Sequence, residues 1–278
     1  MTSVSSAPLG TGYAEVIGDP IAHSRSPQIH RFWLEKLGLD FDYRSSLVRR
    51  ADLPAFIAGR RSDPAWRGCN VTMPLKLDAL MLADHASDRA VAAGAANVLV
   101  PRDGQLLAGN TDVGAVVQLL GPRAASGLPG GLTLLGNGGA ARAVLVALRM
   151  LDVRKVRMQA RDLSAATKLA VEFGLEEPPR TFDMPIDSEA LVNATPLGMT
   201  GVEPFRIDIS RMPKSGLVLD MVTDPVETPL LRSARQAGLA TIDGVAMLVE
   251  QAAASFVLLF GDEPPRQHDA GLMKALRA

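Results

Sequence analysis

The segment 132–151 most narrows what this chain can fold into. Leu132-Thr133-Leu134-Leu135 has the apolar continuity of a strand buried on both faces, and it passes through Gly136-Asn137-Gly138-Gly139 into an Ala-rich apolar stretch at 140–151. A buried strand, a glycine turn and a buried helix in that order make one unit of a mainly parallel sheet covered by helices. The turn departs from the G-x-G-x-x-G/A pattern, yet Gly136, Gly138, Gly139 and Ala141 keep its physics. Small or absent side chains let the backbone turn tightly and come close to an anion favoured by the helix amides. Bare, these glycines would serve equally as a tight strand-to-helix turn. Between those two elements they point to a dinucleotide site.

The same alternation runs along the rest of the chain, so the fold class is α/β. Strands are expected at 13–17, 41–48, 68–73, 153–160, 190–194, 216–222 and 240–242, and helices at 26–37, 51–58, 74–83 and 112–120. Pro27 just after Ser26 suits a first helical turn, and Asp103-Gly104 reads as the turn of a hairpin between 97–100 and 106–107. The stretch 121–131 is rich in Gly, Pro and Ser and is the expected boundary between two parts. A short turn before a last helix is expected at 261–266.

Composition removes several classes of function. At 278 residues and 47% hydrophobic the chain has material for one large domain or two ordinary ones, on a scale of about 100–200 residues each. With 29 basic and 30 acidic side chains there is no overall positive charge to draw a nucleic acid. One cysteine, Cys69, and four scattered histidines make neither a disulfide nor a zinc cluster, so no metal is expected and a reducing cytoplasm fits. The longest apolar run, 245–260, contains Glu250 and Gln251 and is too short for a bilayer, and residues 1–10 read as a floppy leader rather than a secretory signal.

Several polar groups stand at strand ends, where α/β sheets present ligands. Ser24 and Ser26, two apart near a helix start, suit a small carboxylate, although they would equally cap that helix. Asn70-Val71-Thr72-Met73-Pro74-Leu75-Lys76 and Asn110-Thr111-Asp112 together offer Lys76 and Asp112 as an acid–base pair. Alone, Lys76 reads as an exposed lysine. At the end of the strand after the glycine turn stands Ala160-Arg161-Asp162, where an acid suits the ribose hydroxyl of NAD and an arginine the 2′-phosphate of NADP. Cys69 reads as a core residue, and His23 and His30 as packing or capping groups.

Taken in order, these segments resemble the shikimate dehydrogenases. The likeness runs through 18–27 (Gly18 to Pro27) with His30, Asn70-Val71-Thr72 with Pro74 and Lys76, Ala95-Ala96-Asn97, and Asn110-Thr111-Asp112. It continues through Gly136-Asn137-Gly138-Gly139-Ala140-Ala141-Arg142, Asn193-Ala194-Thr195-Pro196, Asp220-Met221 with Thr228-Pro229-Leu230, and Asp243-Gly244 with Met247, Leu248, Val249 and Gln251.

The resemblance implies NADP-linked interconversion of shikimate and 3-dehydroshikimate. It implies an N-terminal α/β substrate domain at 1–113, a Rossmann-like NAD(P)-binding domain at 114–238, and C-terminal helices at 239–278 that return to the substrate domain, with a hinge near 114–131 and at Gly238. It assigns Lys76 as the acid–base group with Asp112 beside it, and Ser24, Ser26, Thr72, Asn97, Asp112, Gln251 and Thr223 to the substrate. To the cofactor it assigns Asp88, Gly136, Asn137, Gly138, Gly139, Ala140, Ala160, Arg161, Asp162, Met221 and Gly244. The chain departs from the family at Asp162 and Ala165, where a hydroxyl and a second base are usual, which leaves NAD or use of both cofactors open. It departs again at Thr223, where tyrosine is usual, which leaves quinate or an amino-shikimate as an alternative substrate. A catalytically silent nucleotide-binding protein on the same fold is the reading from another class. A monomer or homodimer is expected, with a small molecule as partner.

Overall fold

The computed structural model describes residues 12–202 and 206–278, so the leader expected at 1–10 lies outside the described residues. In chain order the elements are β1 (Gly12–Gly18), α1 (Ser26–Leu37), β2 (Phe41–Leu47), α2 (Leu53–Arg61), β3 (Trp66–Val71), α3 (Lys76–Met81), β4 (His85–Ala86) and α4 (Asp88–Ala93). There follow β5 (Val98–Arg102), β6 (Gln105–Gly109), α5 (Thr111–Ala125), β7 (Leu132–Leu135), α6 (Gly139–Met150), β8 (Val156–Gln159) and α7 (Leu163–Phe173). The chain ends with β9 (Ala190–Asn193), β10 (Leu217–Asp220), α8 (Pro229–Gln236), β11 (Ala240–Ile242), α9 (Gly244–Phe260) and α10 (Asp269–Arg277).

The described residues form two sheets. The first has the order β2-β1-β3-β5-β6-β4, with β1 parallel to both neighbours and β5 antiparallel to both of its own. Asp103 and Gly104 close the β5–β6 hairpin with positive φ at both positions, the conformation a two-residue hairpin turn needs. One side of this sheet is covered by α1 and α9: Ile29 and Trp33 meet Val249, Ala252 and Phe256 over Ala14 and Val16. The C-terminal helices therefore return to the first sheet, as the fold class requires.

The second sheet, β11-β10-β9-β7-β8, is parallel throughout. From β7 the chain moves outward to β8, then crosses back to β9 on the other side. That reversal opens a crevice beyond the carboxyl ends of β7 and β9, where such sheets take ligands. The glycine turn leaves β7 at this point.

Two expected boundaries shift. Residues 240–242, expected in the final helical part, instead make the edge of the second sheet: Ala240 pairs with Leu217 in β11, and the return begins at Gly244. The boundary at 113/114, and the linker at 121–131, fall across α5, which continues through Pro122 to Ala125. Burial of Val113, Val116 and Leu120 in the core of the second sheet outweighs the hydrogen bond lost at proline. The helix expected at 74–83 contracts to α3, because Pro74 has no N–H and the Leu75 N–H closes a turn on the Thr72 carbonyl at 3.0 Å.

Candidate active site

The turn at Leu75 starts α3 at Lys76, and Asn110 starts α5 by accepting the Val113 N–H at 3.3 Å, which puts Asp112 in the first helical turn. Lys76 Nζ donates to Asp112 Oδ2 at 2.6 Å, with side chains 16% and 6% exposed. Asn97, at the entry to β5, donates from Nδ2 to Asp112 Oδ1 at 3.0 Å and to Thr111 Oγ1 at 2.8 Å, while its Oδ1 accepts the Thr111 N–H at 2.7 Å. Gln251 Oε1 on α9 accepts from the same amide at 3.5 Å, across 154 residues of chain. Both Asp112 oxygens thus accept, the arrangement of a carboxylate that holds an ammonium group in one place.

The first loop meets the residues that follow β3, where the Asp19 N–H donates to the Met73 carbonyl at 3.0 Å. α1 has Arg25 as its N-cap and no side-chain cap, and Ser24 Oγ only accepts the Ser26 N–H at 3.4 Å. The capping alternative for the two serines therefore fails for Ser26, a buried residue whose hydroxyl has no hydrogen bond among the described residues. Thr72, half-buried after β3, presses its methyl group against Gly18, where an added Cβ would lie 2.4 Å away. Its hydroxyl also has no partner among the described residues. Each of these hydroxyls keeps its proton free to donate to an anion.

The nucleotide turn meets the ion pair directly. A Cβ on Gly139 would lie 3.0 Å from Lys76 Cβ, so glycine lets the start of α6 come this close to α3 without displacing the lysine stem. Gly136 has φ +105°, and a Cβ there would lie 2.8 Å from Thr195 Cγ2 just after β9. Gly138, the N-cap of α6, faces open space and leaves the first amides of that helix without a side-chain cap.

Sequence comparison gives relatives over the whole length. The shikimate dehydrogenase (NADP(+)) of Sphingopyxis alaskensis is 44% identical over 275 residues, which covers 98% of this chain and 100% of the relative. The chain belongs to the shikimate dehydrogenase family. The family model for the shikimate dehydrogenase substrate binding domain matches residues 16–99. A shikimate dehydrogenase (NADP(+)) of Cereibacter sphaeroides is 39% identical over 271 residues, 95% of each chain. Among solved structures, shikimate 5-dehydrogenase from Thermus thermophilus in complex with NADP(H) and shikimate superposes with a TM-score of 0.82 at 35% identity, covering 96% of this chain and 98% of that one.

The crevice of this shikimate dehydrogenase family member fits a dinucleotide phosphate. Uncapped amides of α6 and the open space at Gly138 make the cradle, with Ala140 in the first helical turn. Asn137 Nδ2 donates to the Asp162 carbonyl at 3.4 Å and so ties the turn to the end of β8. There Ala160 is buried, and Arg161 is exposed with no side-chain partner among the described residues. Asp162 Oδ1 accepts the Ala165 N–H at 3.0 Å and caps α7, so this carboxylate already has a structural partner. Met221 packs on the second core, and Gly244 admits the Val222 carbonyl where a Cβ would lie 2.0 Å from its oxygen.

Two assigned residues have no side-chain hydrogen bond among the described residues. Asp88 is exposed in the first turn of α4 with no side-chain hydrogen bond or ion pair among the described residues. Thr223 is half-buried in the loop after β10 and its side chain makes no hydrogen bond among the described residues. Residues given no role from sequence prove central to the site's frame: Thr111 beside Asn97, and Asn193, Asp220 and Thr228 at the carboxyl ends of β9 and β10. Thr228-Pro229 carried a legible helix-start signal, but its partner eight residues earlier did not. His30 is fully buried, stacked on Tyr43 at a centroid distance of 4.0 Å, and burial pushes its pKa down to about 3. Cys69 is a free, buried core residue whose thiol pKa burial pushes up.

Proposed function

We propose that the chain is an NADP-linked shikimate dehydrogenase, an oxidoreductase that interconverts 3-dehydroshikimate and shikimate. The desolvated Lys76–Asp112 pair, set against Gly139 of the nucleotide turn, carries this reading. Ser24, Ser26 and Thr72 bind the substrate carboxylate, and Asn97, Asp112 and Gln251 hold the ring hydroxyls. Thr223 flanks the ring, with a shorter reach than the family's tyrosine. Gly136, Asn137, Gly138, Gly139 and Ala140 hold the pyrophosphate, Arg161 takes the 2′-phosphate, and Met221 and Gly244 shape the crevice wall.

Bound NADP supplies the nicotinamide that accepts or gives the hydride. In the reducing direction, the Lys76 ammonium group donates a proton to the C3 oxygen as negative charge develops there, so it acts as an acid and as an electrostatic stabiliser. Asp112, fixed by Asn97, keeps Nζ in its place for that step. In the oxidising direction Lys76 takes the same proton from the C3 hydroxyl. The paired Lys76 and Asp112 argue against a silent nucleotide-binding protein.

The substrate part comprises the first sheet with α9 and α10, the cofactor part comprises the second sheet, and α5 is shared between them. Every group named lies on one chain, which suits a monomer or a homodimer. Among the described residues no helix is long and apolar enough to cross a membrane, and a free buried cysteine suits the cytoplasm. Steady-state assays with shikimate and quinate, each with NADP and NAD, test the reading. The highest kcat/KM is expected with shikimate and NADP, and no turnover in any combination overturns it.

A further inference from the structure

β9, which pairs with β7, and β10 both end at the crevice beside the glycine turn. Asp220, the last residue of β10, is 0% exposed. Its Oδ1 accepts from Asn193 Nδ2 at 2.9 Å and from the Val222 N–H at 3.1 Å, and its Oδ2 accepts from Thr228 Oγ1 at 2.7 Å. These donors come from the end of β9, the loop after β10, and the cap of α8.

The direction of each bond is set by the next. Thr228 Oγ1 already accepts the Leu231 N–H at 3.1 Å, so its single proton goes to Asp220. Asn193 Oδ1 accepts from the Thr195 N–H at 3.1 Å and from Thr195 Oγ1 at 2.6 Å, which turns the amide end toward the carboxylate, and that amide also donates to the Leu197 carbonyl at 3.0 Å. The whole cluster is built to meet an ionised acid. No cation pairs with Asp220 among the described residues, and burial pushes its pKa up to about 6 in spite of the donors. A buried charge without a counter-ion lowers stability. Its presence is explained by what it holds.

It holds two loops to each other. The Thr200 N–H donates to the Asp224 carbonyl at 2.9 Å, and a Cβ on Gly198 would lie 3.4 Å from Thr228 Cβ, so residues 194–200 and 221–228 pack as one wall. That wall touches the glycine turn through Thr195 and Gly136, and the start of α9 through Val222 and Gly244. α9 also carries Gln251 to Asn97.

We propose that Asp220 is a positioning residue whose carboxylate clasps residues 194–200 and 221–228 into the wall of the cofactor crevice. The functional half of this rests on the dehydrogenase reading above. Its structural half does not, because the clasp acts through Asn193 and Thr228 whether or not substrate is present. An Asp220→Asn variant keeps the shape but replaces one acceptor oxygen by an amide donor, so either the Thr228 hydroxyl proton or the Asn193 and Val222 donors lose their acceptor.

The full-length chain as wild type, Asp220→Asn, Thr228→Val and Thr228→Ser is compared by hydrogen exchange with mass spectrometry, by NADPH fluorescence titration and by steady-state assay. In Asp220→Asn and Thr228→Val, exchange in 194–200 and 221–228 is expected to rise about tenfold over wild type while β7 and β8 stay unchanged. The NADPH dissociation constant rises about tenfold with a smaller change in the KM for shikimate, and Thr228→Ser, which keeps the hydroxyl, stays near wild type. Unchanged loop exchange or unchanged NADPH affinity in folded Asp220→Asn overturns the proposal. If Asp220→Asn does not fold, the Thr228 pair decides by the same measures. A wild type that binds NADPH but does not turn over shikimate removes the dehydrogenase reading, while the exchange data still judge the clasp.

Discussion

Asp112 spends both carboxylate oxygens on Lys76 and Asn97, so removal of Lys76 leaves a nearly buried charge short of one partner. Lys76→Ala is expected to lower kcat at least ~100-fold, the usual floor for a general acid–base group, with a smaller change in shikimate affinity. Near-normal kcat would take Lys76 out of the role. Asp162 carries a different expectation, since its carboxylate caps α7 and also stands next to Arg161. Asp162→Asn keeps a capping oxygen and removes one negative charge, worth about 1 kcal/mol at close range in water, so kcat/KM for NADP should rise up to about fivefold with NAD little changed. An unchanged ratio between the two cofactors would show that the carboxylate acts only as a cap. Asp220 has a pH signature. Its raised pKa means the folded chain holds that proton more tightly than the unfolded chain, so its contribution to stability is full below about pH 4 and lost as pH rises to about 6. His30 works in the opposite sense, with stability lost as pH falls from the ordinary 6.5 toward about 3, so the wild-type profile alone mixes the two. The difference in unfolding free energy between wild type and Asp220→Asn isolates Asp220, and should fall between pH 4 and 6 at up to about 1.4 kcal/mol per pH unit. A flat difference refutes it. At this scale the resemblance assigns roles to Lys76, Asp112 and Asn97, whereas Thr111 and Asp220 stand in its motifs without a role and acquire one only through partners that the fold brings from other segments.

Between elements, the closest fit is the one between the turn before α6 and the first residue of α3. Gly139→Ala would press on Lys76 Cβ at 3.0 Å and on Cδ at 3.2 Å. It should lower kcat about tenfold through misplacement of Nζ, while the melting temperature moves by only a few degrees. A normal kcat would mean that α3 yields without cost to the site. Arg142 braces the same turn: its guanidinium pairs with Glu172 on α7 at 2.6 and 2.7 Å and donates to the Ala93 carbonyl at the end of α4 at 3.3 Å. The elements with strong local signals fall where sequence places them, as with β7, β11 and α1, whose apolar patterns and first-turn proline are self-sufficient. Residues 121–125 do not, because glycine and proline there are outvoted by a core several turns wide. The last strand joins a different part of the molecule from the one expected for a related reason: three residues of β11 carry no mark of which sheet they will join.

Across the whole molecule the two sheets are joined by more than a linker. The core of the second sheet takes Ala93 and Ala95 from the first part and Met247 from α9, together with Val113, Val116 and Leu120 of α5. A hinge within 114–125 would have to break a continuous helix, so any closure on cofactor is expected to be a small sliding adjustment. Small-angle scattering should give a radius of gyration near about 19 Å, the value for a compact chain of this length, with a change under about 1 Å when NADP is added. A change of several ångströms would restore the hinge expected from sequence. Near-neutral net charge also becomes specific at this scale: in the proposed function, attraction for an anionic substrate and cofactor rests on Lys76, Arg161, the loop hydroxyls and the amides of α6. α5 places one constraint on heredity and on engineering alike. It delivers Asp112 to Lys76 at one end and builds the second core along the other, so a crossover before it hands the resident lysine a foreign partner, and a crossover after it sets a foreign sheet on a resident helix. Exchange of the cofactor half between relatives has no seam there, and the smallest piece that can travel intact is the second sheet together with α5 and the start of α9.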